Sequence, residues 1–256
     1  MPFTYTARLR GHPWDLWGLS KIFDGSNADH TRIVATQPVG RPMYDPHTDA
    51  GRLRYARLGF DDFALLTTDA LTFPEGSQPT FDVAKSVANE IILRINGIGR
   101  LIDPEYLTVS LYELSYVCRG GSGSSDAGRM PKNKENTWLG QHPAHQPFGA
   151  LVFSHAASNT AVRFVLDAIA LPATWASLYL VYDAIKDEVG GQAALEKMDW
   201  VKKSELSDFR YSANTSRQLK EGARHGGIPD APKPLITLSN ATDIIERLAR
   251  AWLRSI

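Results

Sequence analysis

The chain reads as an α+β protein in which a mixed sheet-and-helix domain, residues 1–155, precedes an antiparallel four-helix bundle, residues 156–256. The first half supplies short β-branched and aromatic runs separated by Gly, Pro, Asn and Asp, the punctuation of strands. The second half changes to apolar residues recurring three and four positions apart, the period of a helix face. Its four helical stretches are joined by short links, for which an antiparallel bundle is the economical packing.

Strands are expected at 3–9, 31–36, 53–58, 63–73, 107–117 and 148–154. In the first, Phe3, Tyr5, Ala7 and Leu9 share one face. In 107–117, Leu107, Val109 and Leu111 share one face while Tyr112, Leu114 and Tyr116 share the other, which predicts a sheet covered on both sides. A helix is expected over 81–101, carried by Val83, Val87, Ile91, Ile95 and Ile98, with Asn96-Gly97 weakening its end. The stretch 119–131, RGGSGSSDAGRMP, reads as a glycine- and serine-rich loop. Trp14 and Trp17 flank Asp15 in a turn-rich segment and are expected to be core.

In the second half, 159–171 carries Val162, Val165, Leu166 and Ile169. The stretch after Pro172 carries Trp175, Leu178, Tyr179, Tyr182, Ile185 and Val189, and Gly190-Gly191 ends it. A third helix is expected over 204–213. A fourth starts at Ser239 as N-cap and runs through Ile244, Ile245, Leu248, Trp252 and Leu253, with Asp243 in its positive first turn.

Composition narrows function by exclusion. The 28 basic and 28 acidic residues cancel, so any binding to nucleic acid must be local. Cys118 is the single cysteine, which excludes an intramolecular disulfide and a cysteine-cluster zinc site. No apolar run approaches the length of a membrane span, and the first ten residues lack a signal core, so cytoplasm is the expected location. No metal or other cofactor is expected. His142, His145 and His155 lie in or near a proline-flanked stretch, QHPAHQP, read as a loop without a full ligand set. The glycines after Cys118 lack the order of a phosphate-binding loop, and no Gly-x-Ser-x-Gly elbow occurs.

The stretch from Ser204 to Gly227 holds the groups best suited to phosphate chemistry. It places Arg210, Arg217, Arg224 and His225 within sixteen residues, with Lys220 among them and Gly222, Gly226 and Gly227 beside the Arg224-His225 pair. Residues 201–256 carry ten Lys or Arg against six Asp or Glu, a local basic excess in a neutral chain. A histidine can exchange protons near neutral pH, and arginine is a permanent fork of donors for phosphate oxygens. Such a set can cleave RNA without metal: histidine moves the proton while arginine stabilises the developing phosphoryl charge.

The helix count, with an arginine and a histidine in the polar segment before the last helix, resembles the HEPN superfamily (higher eukaryotes and prokaryotes nucleotide-binding domain) over residues 159–256. The resemblance implies a homodimer through the helical bundle and RNA as partner. It implies a separate first domain that senses or docks a protein partner, as in prokaryotic conflict and phage-defence systems. It makes His225 the catalytic acid or base, Arg217 or Arg224 the phosphate-binding arginine, and Arg210 and Lys220 further RNA contacts. Arg217 precedes His225 by eight positions, a wider spacing than the family motif, which leaves open a variant ribonuclease site or a binding-only member. An oligomerising interaction protein without catalysis is the alternative from another class.

Overall fold

The computed structural model describes residues 3–27, 30–35, 63–74, 79–118, 121–126, 145–215 and 235–256. Contacts divide the chain into two compact units, Met1–His155 and Ala156–Ile256. The architecture is mixed α+β, with an antiparallel sheet and a large share of helix.

In the first unit the sheet is built from β1 (Phe3–Arg10), β2 (Arg32–Val34), β3 (Phe63–Thr67), β4 (Thr72–Phe73), β5 (Ser110–Cys118) and β6 (Gly121–Asp126). The spatial order is β2-β3-β1-β5-β6, β4 pairs with β1, and every pairing is antiparallel. The period-two alternation of β1 turns Tyr5, Ala7 and Leu9 inward. They join Ile33, Ala64, Leu66 and Leu114 in the core. Helices α1 (Pro13–Ile22) and α2 (Phe81–Ile102) bury Leu16, Leu19 and Ile22, and Ile91, Ile95 and Ile98.

Among the described residues the two faces of the sheet differ, one packed and the other partly open, where the sequence predicts cover on both. Val34 and Leu65, on the outward side, remain 48% and 47% exposed. The alternation expected in β5 is broken because the register shifts between Arg8 and Leu9: Arg8 faces Glu113 while Leu9 faces Leu111. Tyr112 is the extra residue of this bulge, and its insertion lets both Leu111 and Leu114 point to the core.

Four expectations for this unit need correction. The turn-rich stretch around Trp14 is a helix, α1, opened by Pro13 at its first turn; its tryptophans are half-buried and meet edge to face at 5.7 Å, while Asp15 between them is fully buried. Asn96 does not weaken α2. It is a buried anchor whose Oδ1 accepts from Tyr106 Oη at 2.6 Å and Val109 N at 2.9 Å, while its Nδ2 donates to Val109 O at 2.9 Å. The run 148–154 is not a strand but part of α3 (His145–Ser158). Gly149 lies where a side chain would collide with Ile22, so this glycine lets the helix approach α1 closely. The glycine- and serine-rich stretch contains a strand, β6, held by its backbone pairing to β5. The strand expected over 53–58 lies outside the described residues.

In the second unit, α4 (Thr160–Ala170), α5 (Trp175–Glu188), α6 (Gln192–Lys197), α7 (Lys203–Ala213) and α8 (Leu238–Leu253) follow in order. Their starts are written in side chains. Asn159 Oδ1 accepts from Ala161 N at 2.8 Å and Val162 N at 3.0 Å, and Thr174 forms a capping box with Ser177. Helix α8 is capped by Thr237, whose Oγ1 accepts from Asn240 N at 3.1 Å, and not by Ser239, which lies inside the first turn. Asp243 accordingly falls beyond that first turn and pairs with Arg247 at 3.0 Å.

Helix α5 packs on α4, α6, α7 and α8. The core between them holds Leu178, Val181, Tyr182, Ile185, Phe209, Ile245, Leu248 and Trp252. Fully burying one such side chain stabilises by about 1.5–3 kcal/mol. Among the described residues, no helix is long and apolar enough to cross a membrane.

Candidate functional site

An open cleft of about 480 Å³ lies in the second unit, lined by Tyr179, Tyr182, Lys186, Gln192, Arg210 and Asn214. Three stretches of sequence converge on it. Tyr179, Tyr182 and Lys186 recur at helical spacing along one side of α5. Gln192 opens α6, placed there by the turn at Gly190 and Gly191, whose φ values of 90° and 102° suit glycine. Arg210 and Asn214 stand one turn apart at the end of α7.

Aromatic packing fixes α7 against α5. Phe209 is fully buried, with its centroid 6.0 Å from Tyr179, 5.8 Å from Tyr182 and 6.4 Å from Trp175. Once Phe209 is seated, its neighbour Arg210 is carried to the Tyr182 hydroxyl. Asn214 closes the helix end, donating from Nδ2 to the Arg210 carbonyl at 2.8 Å.

The polar groups are coupled. The Tyr182 hydroxyl donates to Gln192 Oε1, and Gln192 Nε2 donates to Glu196 Oε1 at 2.6 Å. Burial raises the Tyr182 pKa, and the Arg210 guanidinium beside it opposes part of that rise, so the hydroxyl stays protonated at neutral pH. The Lys186 pKa is raised chiefly by its hydrogen bond to Asp183, at 2.7 Å, with Asp187 3.5 Å away. With Lys186 matched by two carboxylates, the cleft's attraction for an anion rests mainly on Arg210.

These lining groups suit binding rather than proton transfer. A guanidinium fork, a half-exposed tyrosine ring and two side-chain amides can hold a phosphate and a base. No histidine or carboxylate is among the lining residues, so a general acid or base of those kinds would have to come from elsewhere. Of the residues singled out by sequence, Arg210 is in the cleft. Arg217, Lys220, Arg224 and His225 lie outside the described residues.

No family model, curated protein or solved structure matches the chain.

Among the described residues, His145 and His155 stand apart. His145 is the first residue of α3 and His155 lies in its last turn, ten residues on and therefore roughly 15 Å along the axis. His142 lies outside the described residues. Among the described residues no cluster of three metal-ligating side chains occurs.

Sequence reasoning missed Tyr179, Tyr182, Lys186, Gln192 and Asn214 as site residues. The two tyrosines were legible only as members of an apolar stripe. Their polar ends carried a signal, since a tyrosine on a packed helix face needs a partner for its hydroxyl.

Proposed function

We propose that the helical unit is a HEPN-like, antiparallel four-helix bundle that binds RNA, with Arg210 holding a phosphate in the cleft beside Tyr179 and Tyr182. The observation that carries this reading is the placement of Arg210 by Phe209. A cation from the basic stretch lines a cleft that also offers an aromatic ring and amide donors. In sequence, Arg217 follows the last described residue of this stretch by two positions. The same reading gives His225 the proton-transfer role and Arg217 or Arg224 the charge-stabilising role in metal-independent cleavage, with Lys220 as a further contact.

The test incubates the purified chain with labelled RNA in EDTA, beside His225→Ala, Arg217→Ala and Arg224→Ala as separate variants. Cleavage that survives the chelator and disappears with His225→Ala supports the nuclease. Binding without cleavage supports a binding-only member. The absence of both overturns the RNA reading.

A second reading, an oligomerising interaction protein, is favoured by a different observation. Phe164, Leu171 and Leu180, on or just after α4 and on α5, are 39%, 52% and 53% exposed. Large apolar side chains left in water on neighbouring helices suit association with a second copy. Replacing all three by serine should leave a monomer in sedimentation experiments if these residues form the contact.

A further inference from the structure

The outward face of the sheet in the first unit carries a chemistry that the helical cleft does not use. Phe63 on β3 and Tyr112 at the β5 bulge lie with ring centroids 4.4 Å apart, tilted by 48°. The Arg8 guanidinium sits 4.2 Å from the Phe63 centroid and 5.7 Å from that of Tyr112. Arg10, on the same side of β1, is 5.8 Å from Phe63 and 5.6 Å from Tyr112. The bulge produces this cluster, because the extra residue it inserts is Tyr112.

The ring contacts restrain both arginines, so less side-chain freedom remains to be lost when a ligand binds. A shallow groove of about 500 Å³ beside them is lined by Arg8, Val34, Phe63, Leu65, Glu113 and Ser115.

Arginine is concentrated on one part of this face. Along β1 and β2 the outward positions hold Arg8, Arg10 and Arg32, beside Phe63, Leu65 and Thr67 of β3. Acid stands beside two of them: Glu113 is 3.6 Å from Arg8, and Asp24 is the bridge partner of Arg32. This part of the face therefore combines guanidinium groups, stackable planes and half-exposed aliphatic side chains. A ligand that matches all three has flat apolar bodies at regular spacing along an anionic backbone, which describes an unpaired nucleic acid strand. A helical duplex would present no free base to the rings.

We propose that the face formed by β2, β3 and β1 binds single-stranded nucleic acid. One base lies on the Phe63, Tyr112 and Arg8 stack, and Arg10 and Arg32 take flanking phosphates. Glu113 limits affinity by facing the same groove. This site is independent of the helical cleft and stands whether or not that cleft binds RNA.

The experiment uses the full chain carrying Arg210→Ala, so that the helical cleft is weakened, and a short fluorescein-labelled uridine oligonucleotide read by anisotropy over a range of salt. Adding Arg8→Ala with Arg10→Ala should weaken binding about tenfold, through the lost stack and one lost phosphate, and reduce the slope of log K against log salt by about 0.7, the expectation for the single phosphate contact of Arg10. Arg32→Ala, an exposed residue outside the core, tests the face without touching the ring cluster and should reduce the slope by about 0.7. Glu113→Gln should tighten binding. Ultraviolet cross-links to the unlabelled strand should map to β1, β3 and β5. The proposal is overturned if the oligonucleotide does not bind the parent chain, which leaves the face to a protein partner. It is also overturned if the arginine variants, with unchanged melting curves, bind within twofold of the parent, or if cross-links map only beyond residue 155.

Discussion

Arg247 on α8 reaches across to Glu205 on α7, donating from its guanidinium to a carboxylate oxygen at 2.7 Å, while its Nε donates to Asp243 at 3.0 Å. The hydrogen bond from Arg247 is the largest cause that lowers the Glu205 pKa. Both side chains are about one-third exposed, so solvent screens the pair and its contribution is about 0.5–1 kcal/mol. A carboxylate whose pKa falls on folding contributes stability above its unfolded pKa and loses it as pH drops through the lowered folded value. Glu205→Gln should therefore destabilise the helical unit in urea melts at about pH 7 and cost little at about pH 3. An equal cost at both pH values would show that the ion pair is not the source.

Phe209 should be the most sensitive single position on α7. Its ring is fully buried against Trp175, Tyr179 and Tyr182, and Phe209→Ala leaves a cavity where three rings met. The expected loss is about 3–5 kcal/mol, measured by urea unfolding. Phe209→Leu should recover much of it, because volume rather than ring geometry supplies most of the stability.

The contrast between legible and illegible elements has physical causes. Helices α4, α5 and α7 lie close to where the apolar period placed them, since one buried stripe on each fixes both length and facing. Phe148 to Ser154 misled because a short continuous apolar run fits a buried strand and a buried helix equally. Strand β6, with the sequence GSGSSD, has no apolar alternation to read. The bulge at Tyr112 is a tertiary event: it arises from how β5 registers on β1, and no local pattern announces it.

The cleft was legible only through its cation. Arg210 stood out by residue type, whereas Tyr182 became a site residue through neighbours that fold in from α6 and α7. Its partner Gln192 belongs to a helix of six residues, too short for periodicity to reveal.

Gly191 offers a test of backbone conformation separate from packing. Its φ of 102° and ψ of −179° lie in a region essentially reserved for glycine, and a Cβ there would meet nothing within 4 Å. Gly191→Ala should therefore cost about 1–3 kcal/mol through strain alone. Because this turn sets Gln192 beneath the Tyr182 hydroxyl, the substitution should also weaken any ligand held in the cleft. Thermal melts and binding isotherms on the same variant separate the two effects. A stability change below the detection limit would mean that the turn relaxes without loss.

Arg210 can be tested by the difference between a fork and a point charge. If the guanidinium binds a phosphate in two-pronged geometry, Arg210→Lys keeps the charge but loses the paired hydrogen bonds, so RNA affinity should fall with little change in salt dependence. Arg210→Ala should weaken binding further and reduce the salt slope by about 0.7, the value for one contact to a single strand. Tyr182→Phe serves as the companion variant: it keeps the ring against Phe209 and removes the hydroxyl that engages Gln192 and Arg210. Affinity lost in Tyr182→Phe without loss of stability would mean that the hydroxyl positions Arg210. If all three variants bind as the parent does, Arg210 is a solvated helix-end cation and the cleft is not an RNA site.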